Sequence, residues 1–363
     1  MFCKKAIAFS VAVLMLFSVG CGNNAVSDGN ASEGTTEIYV PEGSRATNGD
    51  ITIVNGDMGT PPTEAEKVTI NLGLYDSAAA LSAGHLLENN ATGVAYEKYN
   101  CKLYSNAEQT VQALQNGEID VAALPIDSAV NLYVSSKGSY QIAMVNSTFN
   151  YCIAQNGDTV TDMASLAGKT VTVAENDKLG KAVLNKLLSD YGVQGCTINT
   201  VADTAALVDG LANGSVKLAI TQEPYMSEAT AKNAAVTMGL DLYDSWNDKN
   251  NTNIVTGCIV VSNGFTLSER KAFVYFLKDY EASVNLTRKN IAESSQLAEK
   301  YKLTASAATA KSALPGCSVS ADLNDDMESK VTECINFLNS VDSTVLGGAS
   351  ADKKMFFKQA SES

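Results

Sequence analysis

Two stretches of the sequence decide the fold: LQNGEIDVAALP at residues 114–125 and LANGSVKLAITQEP at residues 211–224. Each stretch ends a helix, turns on an Asn-Gly pair, continues as a buried strand and stops at a proline. Because the same pattern occurs twice in one chain, we predict two structurally similar lobes.

Strands and helices alternate on both sides of these stretches. A β-branched run at 67–74 leads into an alanine-rich helical pattern at 77–89. This alternation predicts an α/β architecture with mainly parallel sheets. Further strands are predicted at 120–124, 141–146, 151–155, 170–174, 197–200, 218–221 and 257–262, and helices at 106–116, 128–135, 179–191 and 204–213. Beyond residue 262 the sequence predicts helices alone, at 268–288, 290–301, 305–313 and 325–341.

The start of the chain has the features of an export signal. Lys4 and Lys5 precede an apolar run at 6–19, and small residues lead to Cys21. The closing tetrapeptide, Ser-Val-Gly-Cys at 18–21, resembles a bacterial lipobox, with serine where leucine is usual. This resemblance implies a signal peptide at 1–20 and a Cys21 thiol that carries acyl chains such as palmitate. The alternative is an ordinary secretory signal that happens to contain a cysteine.

Residues 21–66 are rich in Asn, Gly, Ser, Thr and acidic side chains, which predicts a disordered tether. The net charge of −14 disfavours nucleic acid as a partner. Six cysteines lie in the body of the chain without a Cys-x-x-Cys pair, which predicts isolated buried thiols and no metal site. If one disulfide forms, we expect it between Cys317 and Cys334.

Several phrases occur in an order that resembles the substrate-binding proteins of ABC importers of the nitrate, sulfonate, taurine and thiamine-precursor type. They are GEIDVAALP at 117–125, SLAGKTV at 165–171, QEP at 222–224, TGCIVV at 256–261 and ALPGC at 313–317. The resemblance implies a two-lobed type 2 periplasmic binding protein, or Venus-flytrap fold. Two crossovers join the lobes, and the helical C-terminal region belongs to the first lobe. That lobe is expected at 67–150 and 257–346, the second at 151–256, and a poorly ordered tail with one docking aromatic pair at 347–363.

The same resemblance implies the partners and the location. We expect a small-molecule solute, an ABC permease and its ATPase, and a lipid-anchored monomer on the extracytoplasmic face of the cell membrane. No cofactor and no catalysis are expected.

Ligands of open parallel sheets bind beyond the carboxyl ends of the strands. That rule selects four loops and, with the crossover at 149–151, predicts the ligand-binding residues. They are Tyr75, Asp76, Ser77, Pro125, Asp127, Ser128, Asn150, Tyr151, Asn176, Lys178, Glu223 and Tyr225.

Structural alternatives exist for most of these residues. Asp76, Ser77, Asp127 and Ser128 are also typical helix N-caps. Glu223, before a proline, could brace a neighbouring loop instead of a ligand. Asn150 and Tyr151 could either line the floor of a cleft or pack the hinge.

The residue types in the loops also bear on the solute. Arginine, whose planar fork suits oxyanions, is absent from these loops, whereas carboxylates and aromatic side chains are present. We therefore expect an amine-bearing or heteroaromatic solute such as a pyrimidine. Two other functions remain open: a ligand-sensing surface lipoprotein, and an enzyme resembling those that make the thiamine pyrimidine with histidine chemistry. His85 is the only histidine in the chain and lies within a predicted helix, which disfavours the enzyme.

Overall fold

The computed structural model describes residues 60–359, and all structural statements below concern that range. The signal peptide, Cys21 and most of the predicted tether lie outside the described residues. The strands, in chain order, are β1 (Thr69–Tyr75), β2 (Lys98–Tyr104), β3 (Val121–Pro125), β4 (Tyr140–Thr148), β5 (Tyr151–Gln155), β6 (Thr170–Ala174), β7 (Thr197–Val201), β8 (Leu218–Gln222), β9 (Thr237–Asp241), β10 (Val255–Ser262) and β11 (Val319–Asp322).

Helices occupy most connections between the strands. They are α1 (Ala78–Ser82), α2 (Gly84–Ala91), α3 (Ala107–Gln115), α4 (Ile126–Ser135), α5 (Lys178–Asp190), α6 (Thr204–Asn213), α7 (Tyr225–Lys232), α8 (Leu242–Lys249), α9 (Asn263–Ser268), α10 (Arg270–Lys289), α11 (Ile291–Lys300), α12 (Ala307–Ala313) and α13 (Asn324–Val341). None of the helices in residues 60–359 is both long and apolar enough to cross a membrane.

The strands form two sheets, and each sheet with its helices is called a lobe below. The first lobe contains the sheet β11-β4-β10-β3-β1-β2 with α1–α4 and α9–α13, and the second contains β7-β6-β8-β5-β9 with α5–α8. In the first sheet β1 pairs in parallel with β2 and β3, and in the second β6 pairs in parallel with β7 and β8. Both lobes therefore use the same central parallel arrangement.

The prediction of mainly parallel sheets is wrong, because the remaining strand pairs are antiparallel. β10 runs antiparallel to β3 and β4, β11 to β4, and β5 to β8 and β9. For β10 and β5 the cause is the pair of crossovers. Gly257, near the start of β10, pairs with Pro125 at the end of β3, and Tyr151 at the start of β5 pairs with Gln222 at the end of β8. A strand that arrives from the other lobe enters its sheet at the carboxyl edge, so it runs against the strand beside it.

The two sequence repeats occupy equivalent places in the lobes. In the first, α3 leads through Gly117 at φ 70° into β3; in the second, α6 leads through Gly214 at φ 78° into β8. Glycine suits these turns because a left-handed backbone carries no Cβ penalty there. The repeat therefore encodes one helix–strand unit that is used once in each lobe.

Several predicted boundaries differ from the structure. The helix expected at 77–89 is two helices that meet at Ala83, and β11 lies in the region predicted to contain only helices. The sequence also missed β2, α7, β9 and α8. β9 and β2 are edge strands whose residues are largely exposed, so they lack the continuous apolar run that reveals a buried strand.

Residues predicted to belong to the tether and to the tail make contacts with the first lobe. The Thr60 carbonyl accepts a hydrogen bond from the Tyr275 hydroxyl at 3.0 Å, although residue 60 was assigned to the tether. In the tail, the Phe357 backbone N–H donates to the Ile142 carbonyl at 2.8 Å, and the Phe357 ring packs edge-on against Phe273 at 4.9 Å. The aromatic pair Phe356 and Phe357 does dock, and it orders the tail through residue 359.

An aromatic cluster fills the core beneath the crossovers. The Phe149 ring lies 5.8 Å from Tyr151 and 5.6 Å from Trp246, and Trp246 packs edge-on against Phe337 of α13 at 5.0 Å. Trp246 is buried and its Nε1 donates to the Thr252 carbonyl at 2.9 Å. These contacts make Trp246 part of the packing that joins the lobes.

All six cysteines among the described residues are free thiols. The prediction of isolated thiols is therefore confirmed, and the conditional Cys317–Cys334 bridge does not form. Cys334 lies on α13 and its Sγ contacts the Val255 carbonyl at 3.7 Å, whereas Cys317 follows α12 in a separate core cluster. The lobes hold large apolar cores, so no disulfide is needed to stabilise the fold.

Candidate functional site

The carboxyl ends of the central strands of both lobes face one cavity of about 640 Å³, called the interlobe cleft below. Its first wall follows β1 and β3 and includes Tyr75, Asp76, Pro125, Asp127 and Ser128. Its second wall follows β6 and β8 and includes Asn176, Asp177, Lys178, Gln222, Tyr225 and Glu228. Tyr151, at the crossover, also lines it. The strand-end rule thus brings together residues that are distant in sequence.

Asp127 is the most enclosed carboxylate of the first wall. It is 8% exposed, and its Oδ1 accepts a hydrogen bond from the Ser128 backbone N–H at 2.8 Å. Burial raises the pKa of Asp127 to about 6, an effect that the nearby Asp177 carboxylate reinforces and Lys178 opposes. Pro125 is the N-cap residue of α4 and no side chain caps that helix, so the N-cap alternative for Asp127 is wrong. The Asp127 carboxylate accepts from one N–H of the first turn and borders the cleft.

Ser77 is a helix cap and lies outside the residues that line the cleft. Its hydroxyl donates to the Tyr75 carbonyl at 2.9 Å and accepts from the Ala80 N–H at 3.4 Å at the start of α1. These bonds fix the turn after β1. Ser77 thus positions Tyr75 and Asp76 without facing the cavity.

Asp177 anchors the second wall, although the sequence did not select it as a ligand-binding residue. Its Oδ1 accepts from the Gly180 N–H at 2.8 Å, which caps α5, and from the Tyr151 hydroxyl at 2.7 Å. Burial raises the pKa of Asp177. The sequence signal for Asp177 is the run Ala-Glu-Asn-Asp-Lys that starts at the last residue of β6. An aspartate just before a helical pattern predicts an N-cap, and this pattern could have identified Asp177. Next to it, Asn176 accepts from the Thr204 hydroxyl at 3.3 Å, and Lys178 is exposed.

Tyr225 connects the two lobes directly. Its hydroxyl, on the first turn of α7, donates to the Asp76 carbonyl at 2.6 Å. An aromatic side chain at the rim of a cleft suggests stacking against a ligand. In this structure the Tyr225 hydroxyl instead donates a hydrogen bond to the other lobe. It holds the two walls together at the mouth of the cleft.

Glu228 is a second site residue that the sequence reasoning missed. It lies one turn after Tyr225 on α7, and its carboxyl group is close enough to that of Asp76 in the opposite wall for the two to interact. Burial raises the pKa of both carboxyl groups, and their mutual proximity raises that of Glu228 further. The spacing from Tyr225 could have revealed it, since residues three apart share a helix face.

Glu223 does not line the interlobe cleft. It is 8% exposed, its Oε2 accepts from the Ser227 N–H at 3.0 Å and its Oε1 from the Ser227 hydroxyl at 2.9 Å. It borders instead a separate cavity of about 670 Å³ between α7 and α12. Burial raises the pKa of Glu223 to about 7. These contacts correspond to the bracing alternative for this residue.

Asn150 lies at the crossover and not in the lining of the cleft. Its Nδ2 donates to the Glu223 carbonyl at 3.3 Å and to the Cys317 carbonyl at 3.4 Å. One acceptor belongs to the second lobe and the other to the first. Asn150 thus packs the hinge, the alternative to a place on the cleft floor.

The charge of the cleft is negative. Six of its lining residues are acidic and two are lysines: Asp76, Glu108, Asp127, Asp177, Asp203 and Glu228 against Lys178 and Lys232. No arginine lines the cavity among the described residues. Within residues 60–359 no group of three or more His, Cys, Asp or Glu side chains is arranged to hold a metal ion. His85 is distant from the cleft: its Nε2 lies 2.9 Å from the Ser294 hydroxyl, between α2 and α11.

This architecture, two α/β lobes joined by two crossovers with a cavity between them, is the fold of periplasmic binding proteins. The family model described as NMT1/THI5 like matches residues 98–290. The chain belongs to the NMT1/THI5-like family.

Solved structures share the fold at low sequence identity. An ABC transporter protein from Parabacteroides distasonis is 16% identical with a TM-score of 0.65, over 80% of this chain and 99% of that one. The periplasmic aliphatic sulphonate binding protein SsuA from Escherichia coli is 15% identical with a TM-score of 0.62, over 81% of this chain and 94% of that one. The periplasmic nitrate-binding protein NrtA from Synechocystis is 13% identical with a TM-score of 0.57, over 80% and 84%. No curated protein sequence matches the chain. The two-lobed periplasmic-binding-protein fold is thereby confirmed.

Proposed function

We propose that this protein is the solute-binding component of an ABC importer, which captures a small organic solute between its lobes and delivers it to the permease. The observation that carries the proposal is the interlobe cleft, whose walls come from the strand ends of both lobes. The fold shared with the periplasmic sulphonate-binding protein SsuA and the periplasmic nitrate-binding protein NrtA supports the same role. A cavity of this size suits a small molecule.

The proposed mechanism is capture by closure. A solute that contacts both walls stabilises the closed arrangement of the lobes, because those contacts exist together in no other arrangement. Tyr225 contributes to the same closed state through its bond to the Asp76 carbonyl. The closed form then docks on the permease, whose ATPase drives import, and no covalent step is required.

The protein is further proposed to act as a monomer anchored by acyl chains on Cys21 at the extracytoplasmic face of the membrane. Cys21 and the signal peptide lie outside the described residues, so this part rests on the lipobox-like sequence at 18–21. Two acyl chains anchor a soluble domain durably, since each buried methylene contributes about 0.8 kcal/mol. The anchor would keep a solute receptor beside its permease.

Calorimetry and small-angle scattering test the proposal together. A panel of sulfonates, nitrate, amines and pyrimidines is titrated into the folded domain, and scattering is recorded with and without each compound. We expect at least one compound to bind with a compaction of the particle. A protein that bound none of them and kept one shape throughout would contradict the proposal. If binding occurs but the neighbouring genes encode a receptor in place of a permease and an ATPase, the sensing function is favoured instead.

A further inference from the structure

The carboxyl groups of the interlobe cleft face each other in pairs, with one member of each pair on each lobe. The outer pair is Asp76 of the first lobe and Glu228 of the second, which both line the cavity and lie close enough for the Asp76 charge to act on Glu228. The inner pair is Asp127 of the first lobe and Asp177 of the second, which both line the cavity and lie close enough for the Asp177 charge to act on Asp127. Closure therefore brings like charges together.

Like charges across a closing cleft oppose closure unless something positive lies between them. In the outer pair a proton can take that place, because burial and the nearby Asp76 carboxylate raise the pKa of Glu228 to about 8. The Asp127 carboxylate receives a single hydrogen bond, from the Ser128 N–H to Oδ1. No side chain of the described residues donates to it, although Asp127 is only 8% exposed and borders the cavity. The inner carboxylate thus presents unused acceptor capacity to the cleft.

The two lysines of the lining leave most of this charge uncompensated. The Lys232 ammonium lies 2.8 Å from Asp209, which is not a lining residue, and so it is already paired elsewhere. Lys178 remains as the cation nearest the inner pair. An anionic solute would have to enter a cleft with six acidic side chains and no arginine fork.

We propose that the solute is an organic cation, whose protonated amine, guanidinium or equivalent group lies between carboxyl groups contributed by the two lobes. This inference rests on the proposed function and names the solute class of the same cleft. A cation between the lobes turns the repulsion across the cleft into attraction, so it has a higher affinity for the closed state than for the open one. Its arrival lowers the pKa of Glu228 and so favours loss of the proton from that carboxyl group.

Titration of the outer pair depends on the groups that surround it. From the first lobe these are Tyr75 and Cys317, and from the second they are Tyr225, Lys232 and Glu223. Lys232 is the cation among them. A bound cation lowers the pKa of the Asp76 and Glu228 carboxyl groups. Its binding should therefore release protons near neutral pH.

The experiment compares matched compounds that share a carbon skeleton and differ in charge. Calorimetry is run with 1,4-diaminobutane, n-butylamine, agmatine, an aminomethyl pyrimidine, 1-butanol, 1-butanesulfonate, nitrate and Zn²⁺, in buffers of different ionisation enthalpy. We expect the tightest organic binder to be a cation and its binding to release protons. A tightest binder that is neutral or anionic, or a bare metal ion that closes the lobes, overturns the inference.

Substitutions give the sign of the solute charge independently. Glu228→Gln and Asp127→Asn should each weaken the tightest binder about tenfold or more, since a charged hydrogen bond is lost. Lys178→Gln should strengthen a cation and weaken an anion, so its direction separates the two classes. Glu118→Gln, an exposed carboxylate outside the cleft, is the matched control and should change nothing.

The outcomes also separate this inference from the proposed function. If 1-butanesulfonate or nitrate binds with compaction and Lys178→Gln abolishes the binding, the solute-binding role stands and the cationic class falls. If no compound changes the scattering, both fall together.

Discussion

At the residue scale, Glu223 shows how a polar residue chosen for a ligand can serve the fold. Its carboxyl group is buried against Ser227, and burial raises its pKa from 4.5 to about 7. The folded chain therefore holds this proton more tightly than the unfolded chain does. The resulting stabilisation is fully present below about pH 4.5 and is lost as the pH rises through about 7.

We expect Glu223→Gln to make stability less dependent on pH, because the amide keeps the hydrogen-bonding shape and removes the titrating group. The variant should gain on the order of 1–3 kcal/mol relative to the parent at about pH 8. Urea unfolding between about pH 5 and 8 measures it. Burial also raises the pKa values of Asp127 and Asp279, to about 6 and about 7. The free energy of unfolding should therefore still depend on pH in both proteins, but less steeply in the variant. An unchanged slope in the variant would contradict this account.

A second prediction at the residue scale concerns the Tyr225 hydroxyl. Tyr225→Phe removes the bond to the Asp76 carbonyl and keeps the ring. We expect solute affinity to fall about fivefold, because a neutral hydrogen bond contributes about 1 kcal/mol and this one exists only while the lobes are closed. Tyr243→Phe is the matched control, since that side chain is 52% exposed and lies on α8 away from the cleft lining. Equal affinities for the two variants would exclude Tyr225 as a latch.

At the scale of elements, the last described segment completes the first sheet's core. Phe356 forms a bridge with Ile142 of β4, and Phe357 lies 3% exposed between Phe273 and the Arg270 guanidinium, which is 4.7 Å from its ring centre. The last described segment is thus an integral part of the first lobe.

Removing that ring tests the point. Phe357→Ala should lower the free energy of unfolding by about 3 kcal/mol, the usual cost of a phenylalanine cavity. Lys353→Ala, in the exposed turn just before it, should cost far less. Chemical denaturation measures both. A tail that merely covers the surface would give two similar, small effects.

At the scale of the whole molecule, the location of the protein depends on a residue outside the described range. Cys21→Ser should leave export intact and move the protein from the membrane fraction into the soluble extracytoplasmic fraction, because the acyl chains are lost. Cell fractionation and labelling with a palmitate analogue measure the change. Cys101→Ser, at a free half-buried thiol, is the control. A Cys21→Ser protein that stayed with the membrane would show that something else anchors it.

Some features of the fold and of the cleft could be predicted from local sequence patterns, and others could not. The repeated helix–turn–strand unit is visible because its strands are apolar throughout and its turns use Asn-Gly, both local properties. The missed strand β9, read as Thr-Met-Gly-Leu-Asp, alternates too weakly at a sheet edge to be recognised. Likewise, Asp127 and Tyr75 follow from the strand-end rule, whereas Glu228 depends on which face of α7 turns towards the other lobe.

By itself the sequence determined the two α/β lobes, the strand-end loops and the acidic character of the residues in them, because these depend on local patterns and on composition. Only the tertiary structure decided that Glu223 and Asn150 brace the hinge, that Tyr225 reaches Asp76, and that carboxyl groups from opposite lobes form pairs. The physical reason is that hydrogen bonds and charges act over a few ångströms in space. Residues such as Asp76 and Glu228 are far apart along the chain, and they become neighbours only when the two lobes close.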